Sequence, residues 1–128
     1  KRTTYDKIPL PWAKVVFLQP EPETAKLREF IEKQNFGDKY AFCQSWPGVY
    51  QIISAEATKG NALKKLKEML PSIHTVIAVG DNENDLEMIQ VADVGYATGN
   101  AISILKETAD KITVHNNGDI MCDIISRL

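Results

Sequence analysis

The apolar run TVIAV at residues 75–79, cut off by Gly80-Asp81-Asn82-Glu83-Asn84-Asp85, constrains this chain more than any other feature. A short run with no polar alternation suits a strand buried on both faces, as in a parallel sheet covered by helices. Leu86, Met88 and Ile89 then mark residues 85–91 as a short helix. The acidic segment therefore falls in a strand-to-helix turn. Open α/β sheets bind ligands outside the carboxyl ends of their strands, which is where such a turn lies.

The pattern around this run is that of alternating strands and helices. Residues 60–70 predict a helix with Leu63, Leu66, Met69 and Leu70 on one face. Residues 92–97 predict a strand, 101–107 a helix, 111–114 a short strand, and 119–128 a closing amphipathic helix with Ile120, Ile124 and Ile125. This alternation implies an α/β, doubly wound parallel sheet. Upstream the pattern differs. Residues 1–13 read as irregular, with Pro9, Pro11 and Trp12. Residues 14–19 predict a strand, and Pro20 to Thr24 a helix start whose buried face is Leu27, Phe30 and Ile31, with Gly37 at its end. Residues 40–45 and 49–55 predict two strands joined by the turn Trp46-Pro47-Gly48. Strand, helix and hairpin make an α+β unit, and the boundary falls near residues 54–58.

Composition excludes several classes. With 44% hydrophobic and 25% charged residues, the 128-residue chain has the makeup of a globular domain. Its 15 basic and 17 acidic residues give a formal charge of −2, so nothing points to a nucleic-acid or membrane-surface partner. No apolar run approaches the roughly 20 residues that span a bilayer. Cys43 and Cys122 are too few and too far apart for a disulfide framework, and read as reduced, buried thiols of a cytoplasmic protein. His74 and His115 read as surface residues, and no zinc, P-loop or dinucleotide pattern is present.

Three segments could carry chemistry. Asp81, Glu83 and Asp85 crowd three carboxylates into five residues, which repel unless a cation is near, and a hard divalent ion would relieve that. The same residues are also favoured helix caps and first-turn acids, so spacing alone leaves a cap-rich turn equally open. Gly80 favours a site, because it admits a close approach. In Thr58-Lys59-Gly60-Asn61, Lys59 stands at a helix N-terminus, where it either serves an anion such as phosphate or is one more solvated lysine. Ala97-Thr98-Gly99-Asn100-Ala101 is a further strand-to-helix turn that either lines a pocket or is simply capped.

In this order, the segments 57–63, 76–89, 95–101, 106–110 and 117–119 resemble the haloacid-dehalogenase-like superfamily, in particular its Cof-type sugar-phosphate phosphatase branch. The likeness is strong over residues 55–121 and weaker over 14–54. It implies a Rossmann-like core over 56–128, of which this is the C-terminal part, preceded over 1–55 by the end of an α+β cap domain. It implies Asp81 as a magnesium ligand and Asp85 as a second carboxylate supporting the metal site. Asn84 would contact the substrate phosphate, and Lys59 would neutralise the phosphoryl group and the nucleophile. The implied activity is Mg2+-dependent hydrolysis of a small-molecule phosphate ester, a sugar phosphate above all, through a phospho-aspartate. The aspartate nucleophile of that mechanism sits in a DxDGT-like motif, and no such motif occurs in these residues. The chain by itself is therefore expected to be inactive, with an exposed sheet edge beside residues 75–79 open to self-association. The alternative is a non-catalytic module that keeps an anion and metal pocket. A receiver-type phospho-acceptor domain disagrees with the order, since its acidic pair lies near the N-terminus.

Overall fold

The two sequence patterns become two sheets, connected through a one-turn 3-10 segment at Ala55–Ala57 and the helix that follows it. A computed structural model describes Thr4 and residues 7–128. Most of the segment read as irregular, residues 1–13, is described, but residues 1–3, 5 and 6 lie outside it. The strands β1 (Lys14–Leu18), β2 (Tyr40–Trp46) and β3 (Val49–Ser54) form an antiparallel sheet of order β1-β3-β2. Gly48 turns the β2–β3 hairpin with φ of 76°, and an added Cβ would lie 2.5 Å from the Gln19 carbonyl oxygen, so glycine is required twice over.

Helix α1 (Glu21–Glu32) starts after Pro20 with Glu21 and Glu23 in its first turn, where acidic side chains suit the helix dipole. Of the expected face Leu27, Phe30 and Ile31, only Phe30 fails to turn inward. Thr24 and Ile31 are buried, Leu27 and Arg28 are half-buried, and Phe30 is 61% exposed. The face runs i, i+3, i+4, i+7 from Thr24, one step around the helix from the apolar reading, because the small Thr24 fits beneath the start of the helix and bulky Phe30 does not.

The second sheet is parallel, with β4 (Ile77–Gly80), β5 (Val94–Ala97) and β6 (Lys111–Ile112) in that order. Helices α2 (Lys59–Met69), α3 (Leu86–Val91), α4 (Ser103–Thr108) and α5 (Ile120–Ile125) accompany it. Its core is Ala78, Ile89, Ala97, Ala101 and Leu105, with Leu63 and Leu86 packed against them. Small residues dominate the strands, which lets the helices sit close. The fold is thus α/β with a parallel sheet, as the sequence implies.

The apolar stripe expected of α2 is turned outward. Leu66, Met69 and Leu70 are exposed, while Gly60 is buried and Leu63 partly so. Close approach of α2 to α3 at Gly60 sets this orientation: an added Cβ there would meet Glu87 Cγ at 2.3 Å. Strand β4 forms an edge of its sheet, and among the described residues no strand pairs with its outer side. Cys43 is half-buried but Cys122 is exposed, against the expectation of two buried thiols, because Cys122 lies in the first turn of α5 above its Asp119 cap rather than on its inner face. No helix of the described residues is long and apolar enough to cross a membrane.

Candidate active site

The turn after β4 is built around one carboxylate. Asp85 is 4% exposed. Its Oδ2 accepts the N–H groups of Asp81 at 3.0 Å and Asn82 at 3.2 Å, and its Oδ1 accepts the ammonium of Lys59. Asn82 completes the turn as a capping box, its side chain accepting the Glu83 N–H at 2.9 Å. The cap-rich turn is present, and Asp85 in addition gathers a cation. That cation is the chain's own lysine. The space beside Gly80 that sequence reasoning left for a ligand is filled by Asp85, whose Cβ lies 2.4 Å from where a Gly80 Cβ would stand.

Lys59 reaches Asp85 because Thr58 caps α2, accepting the Asn61 N–H at 3.1 Å, and because Gly60 lets α2 close on α3. The Thr58 hydroxyl and Lys64 hold the Glu87 carboxyl below its usual range. Lys59 and Asn84 open onto a cavity of about 380 Å³, within the size range of small-molecule sites. Its other wall comes from the antiparallel sheet, through Lys14, Ala41, Cys43, Gln51 and Ile53. Burial and the neighbouring Glu83 push the Cys43 thiol up, so it is a poor nucleophile.

Asp81 is tied to this cluster by its backbone and is not itself among the cavity's lining residues. Its carboxylate has no protein partner among the described residues. Magnesium takes one or two carboxylates and completes its shell with water and substrate oxygens, so this unpaired group at the carboxyl end of β4 fits one place in such a shell. No group of three or more His, Cys, Asp or Glu among the described residues could hold a metal unaided. The turn at 97–101 reaches the site through the backbone alone, with the Ile102 N–H donating to the Asp81 carbonyl at 3.0 Å. The Thr98 hydroxyl is buried there without a partner among the described residues.

The family model of the haloacid dehalogenase-like hydrolases matches residues 2–125. The chain belongs to that family. YxeH of Bacillus subtilis (strain 168) is 37% identical over 105 residues, 81% of this chain and 38% of that protein. The 5-amino-6-(5-phospho-D-ribitylamino)uracil phosphatase YcsE of the same organism is 37% identical over 92 residues, 71% of this chain and 37% of that protein. Among solved structures, SMU.1108c from Streptococcus mutans UA159 superposes with a TM-score of 0.83 at 27% identity, over 97% of this chain and 47% of that one. The chain thus spans less than half the length of these relatives.

A feature of this haloacid dehalogenase-like chain that the sequence did not disclose is the clasp between its sheets. Glu83 reaches the antiparallel sheet. Its carboxylate accepts Arg28 Nη2 at 2.8 Å, Arg28 Nη1 at 3.2 Å and the Gln44 N–H at 2.9 Å. Beside it, Asn82 Nδ2 donates to the Ser45 carbonyl at 3.1 Å. The loop that presents Asp81, Asn84 and Asp85 is therefore bolted to α1 and β2. The self-repulsion expected of Asp81, Glu83 and Asp85 is relieved by Arg28 and Lys59. Arg28 lies 55 residues from Glu83 and is, with Lys26, one of two basic residues on an amphipathic helix, so no local signal marked it. On the hairpin, Tyr50 is buried away from the cavity while Trp46 is 63% exposed.

Glu83→Ala is expected to lower stability by about 1–2 kcal/mol in urea denaturation. A hydrogen bond to a charged acceptor is lost, while the half-exposed ion pair contributes little. Hydrogen exchange at Gln44 should quicken and that of Ala78 should not. Unchanged protection at Gln44 would show that the clasp is not closed in solution.

Proposed function

We propose that the full-length protein carrying this chain hydrolyses small phosphate monoesters, with sugar phosphates as the substrate class and Mg2+ as cofactor. The observation that carries this reading is the cluster at the carboxyl edge of the parallel sheet: Lys59 pinned by buried Asp85, with Asn84 beside it on one cavity. Family membership and a relative that is a phosphatase of a phospho-ribityl compound support it. In this reading residues 1–55 close the cap domain and residues 56–128 close the core.

Phosphoryl transfer is mostly positioning and charge neutralisation. Lys59 would neutralise one side of the phosphoryl group, and Asn84 would donate to its oxygens. Asp85 would hold Lys59 in place and order the Asp81–Asn82 backbone. Asp81 would offer its unpaired carboxylate to magnesium, which when bound supplies further positive charge to the phosphate. The aspartate nucleophile would come from a segment outside these residues, so the 128-residue chain alone should not turn over esters at an enzyme-like rate. The open edge of β4 is where such a segment, or another copy of the chain, would pair.

The test is hydrolysis of p-nitrophenyl phosphate by the purified full-length protein. Turnover that is abolished by a chelator and restored by Mg2+ is expected. Absence of turnover would refute the phosphatase reading, and turnover indifferent to the chelator would refute the metal.

A further inference from the structure

We infer that Lys14, held by Gln51, forms a second anion subsite, so that the phosphate ester taken by this protein carries another acidic group on its alcohol portion. The inference rests on the phosphatase reading and goes beyond it by naming what lies at the far wall of the same cavity.

Strand pairing divides the antiparallel sheet into two faces. Val15, Phe17, Phe42, Tyr50 and Ile52 share one, on the side where Ile31 of α1 lies. Lys14, Ala41, Cys43, Gln51 and Ile53 share the other, which lines the cavity opposite Lys59. On this second face Lys14 is the charged residue of the cavity wall, and it is not left loose. Its ammonium donates to Gln51 Oε1 at 2.8 Å, and Gln51 Nε2 donates to the Ser45 hydroxyl. Gln51 is 9% exposed. Burying a carboxamide on an apolar face is unfavourable unless both ends are bonded, and here both are used to fix one lysine head over the cavity.

The charge balance then sets the ligand. The two carboxylates that line the cavity already have basic partners, Glu83 in Arg28 and Glu87 in Lys64, and behind them Asp85 has Lys59, while Asp81, outside the lining, is the one left for a metal. Lys14 has no carboxylate partner among the described residues; its partner is the neutral Gln51. An ammonium held by Gln51, without a carboxylate partner, on the cavity that Lys59 and Asn84 also line selects a ligand with negative charge at both ends. A carboxylate and a second phosphate both meet that requirement.

The experiment compares kcat/KM of the full-length protein for 2-phosphoglycolate, 1,3-propanediol bisphosphate and ethyl phosphate. The acidic esters differ from the third by a carboxylate or a second phosphate. We expect at least one of the two to exceed ethyl phosphate tenfold or more, and Lys14→Met to reduce that ratio at least tenfold. Which acidic ester leads identifies the second group. Binding of phosphonoacetate against ethylphosphonate, followed by calorimetry, should show the same preference and the same loss without turnover. Ratios near one in the wild type, or a ratio unchanged in Lys14→Met, would overturn the subsite while leaving the phosphatase reading intact. Failure to hydrolyse any of these esters or p-nitrophenyl phosphate would remove both.

Discussion

Lys59→Met in the full-length protein is expected to lower kcat/KM for phosphate esters by about 10³-fold while leaving the fold in place. The side chain of Lys59 is 49% exposed but Asp85 is buried, so losing the lysine leaves that carboxylate with only its two backbone N–H donors and costs about 1–3 kcal/mol. Its value lies in where the charge is held. Asp85 is buried and its other oxygen is fixed by two backbone N–H groups, so the ammonium is oriented before a ligand arrives. Removing one preorganised donor to a developing charge costs about 10²–10³ in rate, and a full positive charge should sit at the upper end of that range or beyond. Urea denaturation should shift by no more than about 1–3 kcal/mol, which leaves the protein folded. A loss of activity below tenfold would mean that Lys59 does not meet the phosphoryl group. A large loss of stability would mean that its role is structural.

Gly80→Ala is expected to destabilise the protein by about 3 kcal/mol and to weaken substrate hydrolysis with it. The added Cβ would stand 2.4 Å from Asp85 Cβ, 2.8 Å from its Cγ and 3.0 Å from its Oδ2. Asp85 cannot swing into solvent, because its backbone caps α3 and its carboxylate holds the turn. Something must shift, and overpacking of this kind costs about 1–3 kcal/mol before the loosened Asp81 and Asn82 hydrogen bonds are counted. Gly99→Ala is the control: its nearest neighbour would be the His115 backbone nitrogen at 3.1 Å, so a smaller loss is expected. Equal effects in thermal or urea unfolding for the two alanines would show that Gly80 is not the packing partner of Asp85.

The parts of this protein that are legible in the sequence are those coded by neighbours along the chain. The TVIAV run, the Gly-Asp turn after it and the helix behind it specify β4, its loop and α3 within a residue or two. Pro47 and Gly48 specify the hairpin. Periodicity was a poorer guide to which face is buried. Phe30 points out and Thr24 points in, and the leucine stripe of α2 is exposed, since burial depends on what another element brings against a helix. The reading of the acidic segment as self-repelling left out Arg28 and Lys59, which arrive from 55 and 26 residues away to take Glu83 and Asp85.

Local order therefore came from the sequence by itself: which segments are strands and helices, that a parallel sheet follows an antiparallel one, and that a turn rich in carboxylates ends β4. Only the tertiary structure decided what each carboxylate does, giving Asp85 to Lys59, Glu83 to Arg28 and leaving Asp81 unpaired. The reason is physical. Backbone propensity and hydrophobic period act over a few residues, whereas the state of a charge is set by whichever opposite charge the fold brings within about 3–4 Å of it.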